Sequence, residues 1–141
     1  MAKVTSSTKN VEAMLSRLAN PRPFLDDVAE ILRVSTVRRI TTTKTSPDGQ
    51  AWVPWAVATA RARAKRGTAA GGLLNESGRL ANSIRGMVTG KSAVVGSEGV
   101  GYAKYLQTGT NKMPARPFVG ISKDDSSQIH KSLRAYLKGT K

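Results

Sequence analysis

The chain has 141 residues, with 23 Lys and Arg against 9 Asp and Glu, a net charge of +14. It contains no cysteine, which excludes disulfides and thiolate metal sites. The 39% apolar share supports one ordinary domain, residues 1–141, with a modest core.

No apolar run follows Met1-Ala2-Lys3, so no signal peptide is read. No stretch approaches the ~20 apolar residues of a membrane span, so a soluble protein made in a cytoplasm is expected. The charge is uneven. Residues 1–30 carry four basic and four acidic groups, residues 31–91 eleven against two, and residues 92–141 eight against three. A basic middle suggests a polyanionic neighbour, either nucleic acid or an acidic protein surface.

Taken in order, Met1–Lys9 is polar and reads as a flexible start. Asn10 is placed to cap a first helix, in which Val11, Met14, Leu15 and Leu18 fall on one stripe. Asn20-Pro21-Arg22-Pro23 ends it, and a second helix starts near Pro23 with Asp26, Asp27 and Glu30 in its early turns. Arg38, Arg39 and Lys44 lie toward its far end. There the β-branched residues Val37, Ile40 and Thr41–Thr43 predict fraying or extension. These N-terminal helices, residues 1–45, precede an α+β core, residues 46–141.

Ser46-Pro47-Asp48-Gly49 predicts a turn, with Trp52 anchoring it to the core. Pro54 opens a third, Ala-rich helix over Trp55–Lys65. Arg61, Arg63, Lys65 and Arg66 cannot share one face of it and form a charged collar. A small-residue loop, Gly67–Gly72, and a turn, Leu73–Leu80, follow. Strands are predicted at Ser83–Val88 and Ser92–Gly96, joined at Thr89-Gly90-Lys91.

Next comes a short helix, Ala103–Gln107, closed by Gly109. Pro114 and Pro117 bracket Ala115-Arg116 and push both toward extended backbone. Phe118–Ile121 reads as a further strand and Phe118 as a core anchor. Ser122 caps a last helix, with Asp125 completing a capping-box-like pair and Gly139 ending it. The expected fold is α+β: a small, mostly antiparallel sheet packed with four to five helices.

Catalytic chemistry finds no residues to carry it. His130 is the only histidine, and the nine acidic residues make no metal-ligand pattern. Gly90-Lys91-Ser92 imitates the end of a P-loop, but Arg85 stands where the first glycine is required. Gly99-Val100-Gly101 lacks the third glycine of a dinucleotide loop. No enzyme, cofactor or metal is expected.

The ordered set of Ser46-Pro47-Asp48-Gly49 with Trp52, Leu74 with Ser77-Gly78-Arg79-Leu80 and Ser83-Ile84, Val95-Gly96-Ser97, and Tyr102–Ser122 carries a resemblance. From about Leu15 to Leu137 the chain resembles the phage virion morphogenesis family, the tail-completion proteins of tailed bacteriophages. It departs from that pattern in the Arg61–Arg66 run and the Gly67–Gly72 insert.

The resemblance implies a structural protein of the virion neck, assembled in the host cytoplasm. It would form a ring, a hexamer matching the sixfold tail, that caps the tail and joins head to tail. Its implied partners are itself, the tail tube or sheath, and the head-tail connector, with DNA passing through the lumen and no membrane involved. Tyr102, Tyr105, Gln107 and Arg116 are the expected subunit contacts, supplying aromatic and arginine groups of the kind enriched at interfaces. For Arg116 a local salt bridge or a bond to a helix C-terminus is equally open. Arg38, Arg39, Arg61, Arg63, Lys65 and Arg66 are the expected contacts to luminal DNA or an acidic partner. The rival reading is a basic nucleic-acid-binding accessory protein. It lacks a clear recognition helix and the aromatic–basic interleaving of single-strand binders.

Overall fold

The computed structural model describes residues 2–140, with side chains from residue 8 onward. Of the N-terminal stretch read as flexible, Met1 and the side chains of residues 2–7 lie outside the described residues. Helix α1 covers Ala2–Ala19 and so begins well before Asn10. No glycine or proline interrupts those first residues, and nothing local forces a start at Asn10. Helix α2 covers Arg22–Arg38, with proline in its first turn as expected.

The end of α2 neither frays nor extends. It widens into a π-helical turn, Arg39–Thr43, closed by Lys44 in the left-handed conformation with φ 55°. The widening leaves carbonyls in need of donors. Lys44 Nζ donates to the carbonyls of Ile40, Gly71 (2.8 Å) and Leu73 (2.9 Å). Burial pushes the Lys44 ammonium below its usual pKa. One side chain thereby fastens the turn to the glycine-rich loop.

Ser46–Gly49 turns as its residues demand, with Gly49 N donating to Ser46 O at 2.9 Å. Helix α3 covers Val57–Arg66, starting two residues later than the sequence suggested, so Trp55 lies outside it. Helix α4 covers Arg79–Ser83. Strands β1, Ile84–Thr89, and β2, Ser92–Ser97, pair antiparallel with Thr89 opposite Ser92. The pair packs on α2. A Cβ built at Gly86 would sit 2.5 Å from Ala29 O, so glycine lets the strand close against the helix backbone. Helix α5 covers Ala103–Thr108 and α6 covers Lys123–Lys138. The core joins Ile40, Trp52, Leu80, Ala81, Ile84, Val100, Ala103 and Phe118. The class is α+β.

The expected strand Phe118–Ile121 does not form; the described strands are β1 and β2 alone. Its backbone is satisfied by side chains instead of a neighbouring strand. Phe118 N and Val119 N donate to Gln107 Oε1 at 3.0 and 3.1 Å, and Gln107 Nε2 donates to Val119 O at 3.0 Å. Arg39 Nη1 donates to the carbonyls of Phe118 and Gly120, both at 3.1 Å. With these groups occupied, no ladder partner is required.

Arg39 also pairs with Asp125, whose side chain is 1% exposed. Asp125 accepts from Ser122 N at 2.8 Å, while Ser122 Oγ accepts from Asp125 N at 3.1 Å, completing the capping box of α6. Burial alone would raise the Asp125 pKa. Bonds from Ser35 and Ser122 and the charge of Arg39 outweigh it, and the carboxyl is held below its usual range.

Two outcomes are expected. Asp125→Ala leaves Arg39 buried without its counter-charge and should cost about 3–5 kcal/mol in denaturant unfolding. Because the folded pKa is depressed, Asp125 contributes fully above the unfolded-state value near ~3.9 and loses its contribution as pH falls through the folded value. Asp125→Asn should flatten that acid limb, and an unchanged pH profile of stability would contradict it. Gln107→Leu should cost at least the ~1–3 kcal/mol of a buried polar group left unpaired. A melting curve matching the parent's would show that the amide does not support the segment.

Candidate assembly surface

Four residues of the Tyr102–Ser122 corner were expected to meet a neighbouring subunit, and the fold divides them into two pairs. Gln107 is turned inward onto the Phe118–Val119 backbone. Arg116 is 6% exposed, and its Nε and Nη2 donate to the carbonyls of Val53 (2.8 Å) and Pro54 (3.1 Å). Its acceptors are therefore extended backbone ahead of α3, not a helix C-terminus or a carboxylate. Burial first, and the nearby Arg63 charge second, lower its pKa from the usual arginine value.

Trp52 Nε1 donates to Pro117 O at 2.8 Å, so three hydrogen bonds from two side chains tie residues 52–54 to 116–117. Gly109 holds the other end of the corner. Its φ is +76°, and a Cβ there would sit 2.7 Å from Ala115 N. Tyr102 and Tyr105, by contrast, are 43% and 47% exposed, one helical turn apart on this braced frame. Lys104 Nζ lies 4.9 Å from the centre of the Tyr105 ring.

The six expected cationic contacts also divide. Arg39 is buried and bonded within the chain, which corrects its assignment to a luminal surface. A phosphate cannot reach it without unfolding the joint it makes. Arg38 stays exposed at the end of α2. On α3, which buries no residue, Arg61, Lys65 and Arg66 are exposed. Arg63 alone turns inward. It pairs with Glu76, and its guanidinium carbon lies 4.8 Å from the centre of the Trp55 ring. A hydrogen bond from Thr68 and the charges of Arg63 and Arg66 hold the Glu76 carboxyl below its usual range. Through Arg63, the collar helix is fixed to the loop that follows it.

Between α3, the 68–80 segment and α5 lies a groove of about 1100 Å³. Val53, Trp55, Leu74, Tyr102, Leu106 and Met113 give it apolar walls. Arg63, Glu76, Arg79 and Lys112 also line it. Leu74 adopts φ +59°, unusual for a non-glycine residue. The sequence reading missed this groove. Its signals were an apolar Trp55 ahead of a helix with no apolar stripe, and an apolar Leu73-Leu74 pair inside a polar loop.

A second apolar surface lies on α1, where Val11, Leu15 and Leu18 are 51%, 59% and 54% exposed. The helix is held at its C-terminal end. Arg17 Nη1 donates to Leu137 O at 2.8 Å, and the Tyr136 hydroxyl donates to Arg17 O at 3.1 Å. The stripe was legible in the sequence, but the fold does not bury it. His130 is exposed on α6.

No curated protein and no solved structure matches the chain. The model of one family does, across nearly the whole length and over both the corner and the collar. On that match, which covers residues 2–138, the chain belongs to the phage virion morphogenesis family.

Proposed function

We propose that the chain is a structural component of a phage tail, of the tail-completion type. It forms a ring at the tail end and joins it to the head, with DNA passing through the ring. The observation that carries this reading is the exposed pair Tyr102 and Tyr105 on a corner fixed by Gln107, Arg116 and Gly109. A rigid frame presenting two aromatic side chains loses little entropy on docking. Tyrosines are enriched at interfaces for their large area and polar tip.

The cations suit the second half of the reading. Arg61, Lys65 and Arg66 project from a helix that buries nothing, so they meet a polyanion without disturbing the core. Contacts to phosphate give affinity without sequence preference, as a DNA conduit requires. The same cations support the rival accessory-protein reading. In that case the free monomer binds DNA and no ring is needed.

Mass in solution by light scattering, with and without purified tail tubes, separates the two. The parent should form a discrete multimer. Tyr102→Ala with Tyr105→Ala should shift it to monomer while the melting temperature is retained. Arg61→Glu with Lys65→Glu should keep the multimer but lower the yield of joined particles. A chain that stays monomeric in both conditions and binds duplex DNA with a steep salt slope would establish the rival.

A further inference from the structure

The hairpin of β1 and β2 is the only sheet among the described residues, and both of its edges are open. We infer that copies of the chain join edge to edge, β2 of one against β1 of the next, in a continuous antiparallel sheet. The inference rests on the ring reading above and gives the ring a second contact in addition to the tyrosines.

The backbone names the kind of partner. Glu98 N donates to Ser83 O at 2.9 Å, which makes Ser83 with Glu98 a hydrogen-bonded pair of the ladder. Such pairs alternate along antiparallel strands, so Arg85 with Gly96 and Met87 with Val94 are the next. Gly86 and Val88 on β1, and Ala93 and Val95 on β2, therefore turn their N–H and C=O groups away from the hairpin. Among the described residues nothing bonds to them. Helix α2 packs on one face of the hairpin and supplies no strand to either edge. The usual edge guards are missing from β2. Its residues, Ser92–Ser97, include no proline and no charge, and its register with β1 runs without a bulge. An edge of this kind takes up an extended strand.

Side chains choose which strand. The solvent face of the hairpin sets Arg85, Met87 and Thr89 opposite Gly96, Val94 and Ser92. Met87 and Val94 are 52% and 46% exposed, an apolar pair facing water. With β1 of one copy beside β2 of the next in the register the hairpin already uses, Met87 meets Val94 again, and the apolar row runs on across the junction. The same register sets Arg85 of one copy diagonal to Glu98 of the next. Within one chain that diagonal brings Arg85 Nε to 3.6 Å from a Glu98 oxygen, with the side chains 55% and 74% exposed, so both charges are placed to serve two neighbours. Pairing β1 with β1, centred on Gly86, would instead put two Arg85 side chains on a diagonal, where like charges repel. Pairing β2 with β2 would leave both β1 edges open. The β2-to-β1 contact uses every edge, and being head-to-tail it generates a ring when its rotation closes.

The absence of cysteine from the sequence makes the test direct. Met87→Cys and Val94→Cys chains, both altered at exposed positions, are mixed and oxidised mildly. In the proposed register these positions form a non-hydrogen-bonded pair between copies, whose side chains lie close enough to bridge. The mixture should give the Met87→Cys to Val94→Cys cross-link. Self-linked Val94→Cys as the main product would place β2 against β2, and self-linked Met87→Cys would place β1 against β1. Either overturns the inference, as would no cross-link from chains that still form multimers. In parallel, the amides of Val88, Ala93 and Val95 should exchange with solvent quickly in the dilute free chain and at least about tenfold more slowly in the multimer. Equal exchange in both forms would overturn the edge contact. Ala93→Pro removes one outward donor and leaves the hairpin's own ladder intact, as proline on an edge does. It should weaken self-association at least about tenfold, with circular dichroism unchanged. Full multimer mass in a folded Ala93→Pro chain would sink the edge contact and leave the ring reading standing. A parent chain that is monomeric at all concentrations, with and without tail tubes, would sink both.

Discussion

Asp125 holds three parts of the molecule at one carboxylate. It caps α6 through Ser122 N and pairs with Arg39 at the π-helical end of α2. Arg39 in turn holds the carbonyls of Phe118 and Gly120. A buried ion pair is rarely a large net gain over a well-packed apolar pair, because both charges must lose water. Here both partners carry further hydrogen bonds, including Arg39 Nη2 to Ser35 Oγ at 2.8 Å and Ser122 N to Asp125 at 2.8 Å. The gain is geometric. A charge pair with fixed acceptors tolerates one arrangement of α2, α6 and the segment between α5 and α6, where apolar contacts alone would tolerate several.

From that joint outward, each rigid element is held by polar side chains reaching backbone, not by a wide sheet. Lys44 bridges the π-helical turn and the glycine-rich loop, Gln107 replaces a strand partner, and Arg116 and Trp52 tie the corner to residues ahead of α3. This suits a chain with 5% aromatic residues and a two-stranded sheet. Such a hairpin is marginal alone and depends on the helix packed against it. It also explains why the corner can present Tyr102 and Tyr105 outward. Their frame takes its order from Gln107 and Arg116, so the tyrosines are not required by the core.

Features decided within a few residues were legible in the sequence. Ser122 with Asp125, Gly109 after α5, the Ser46–Gly49 turn and the β1–β2 hairpin all follow from side-chain chemistry at short separation. The features that could not be read depend on distant partners. Arg38 and Arg39 are the same residue type side by side, and only the phase of α2 against α6 sends one to solvent and the other to Asp125, 86 positions away. Phe118–Ile121 has the composition of a strand, but a glutamine eleven residues earlier occupies its first donor. At the candidate surface, residue type is read directly from the chain and orientation is not. Gln107 and Arg116 are interface-enriched or readily paired types that this fold uses internally. The groove went unseen because it is assembled from residues 53 to 116, with no pattern in any one segment.

The proposed ring would bring together copies of a chain of net charge +14. Like charges on adjacent copies oppose one another over roughly a Debye length, about 8 Å at physiological salt. Contact between copies offsets this only where the surfaces touch. In the proposed ring, the exposed cations of α3 keep their repulsion until a polyanion neutralises them. Under the proposed ring, any polyanion that binds the assembled form more tightly than the free chain stabilises the ring by mass action. Ring formation and DNA engagement are then linked equilibria: each strengthens the other by the same factor. On the proposed reading, a basic collar on a helix without core duties would make closure of the ring sensitive to the charge of what the ring surrounds.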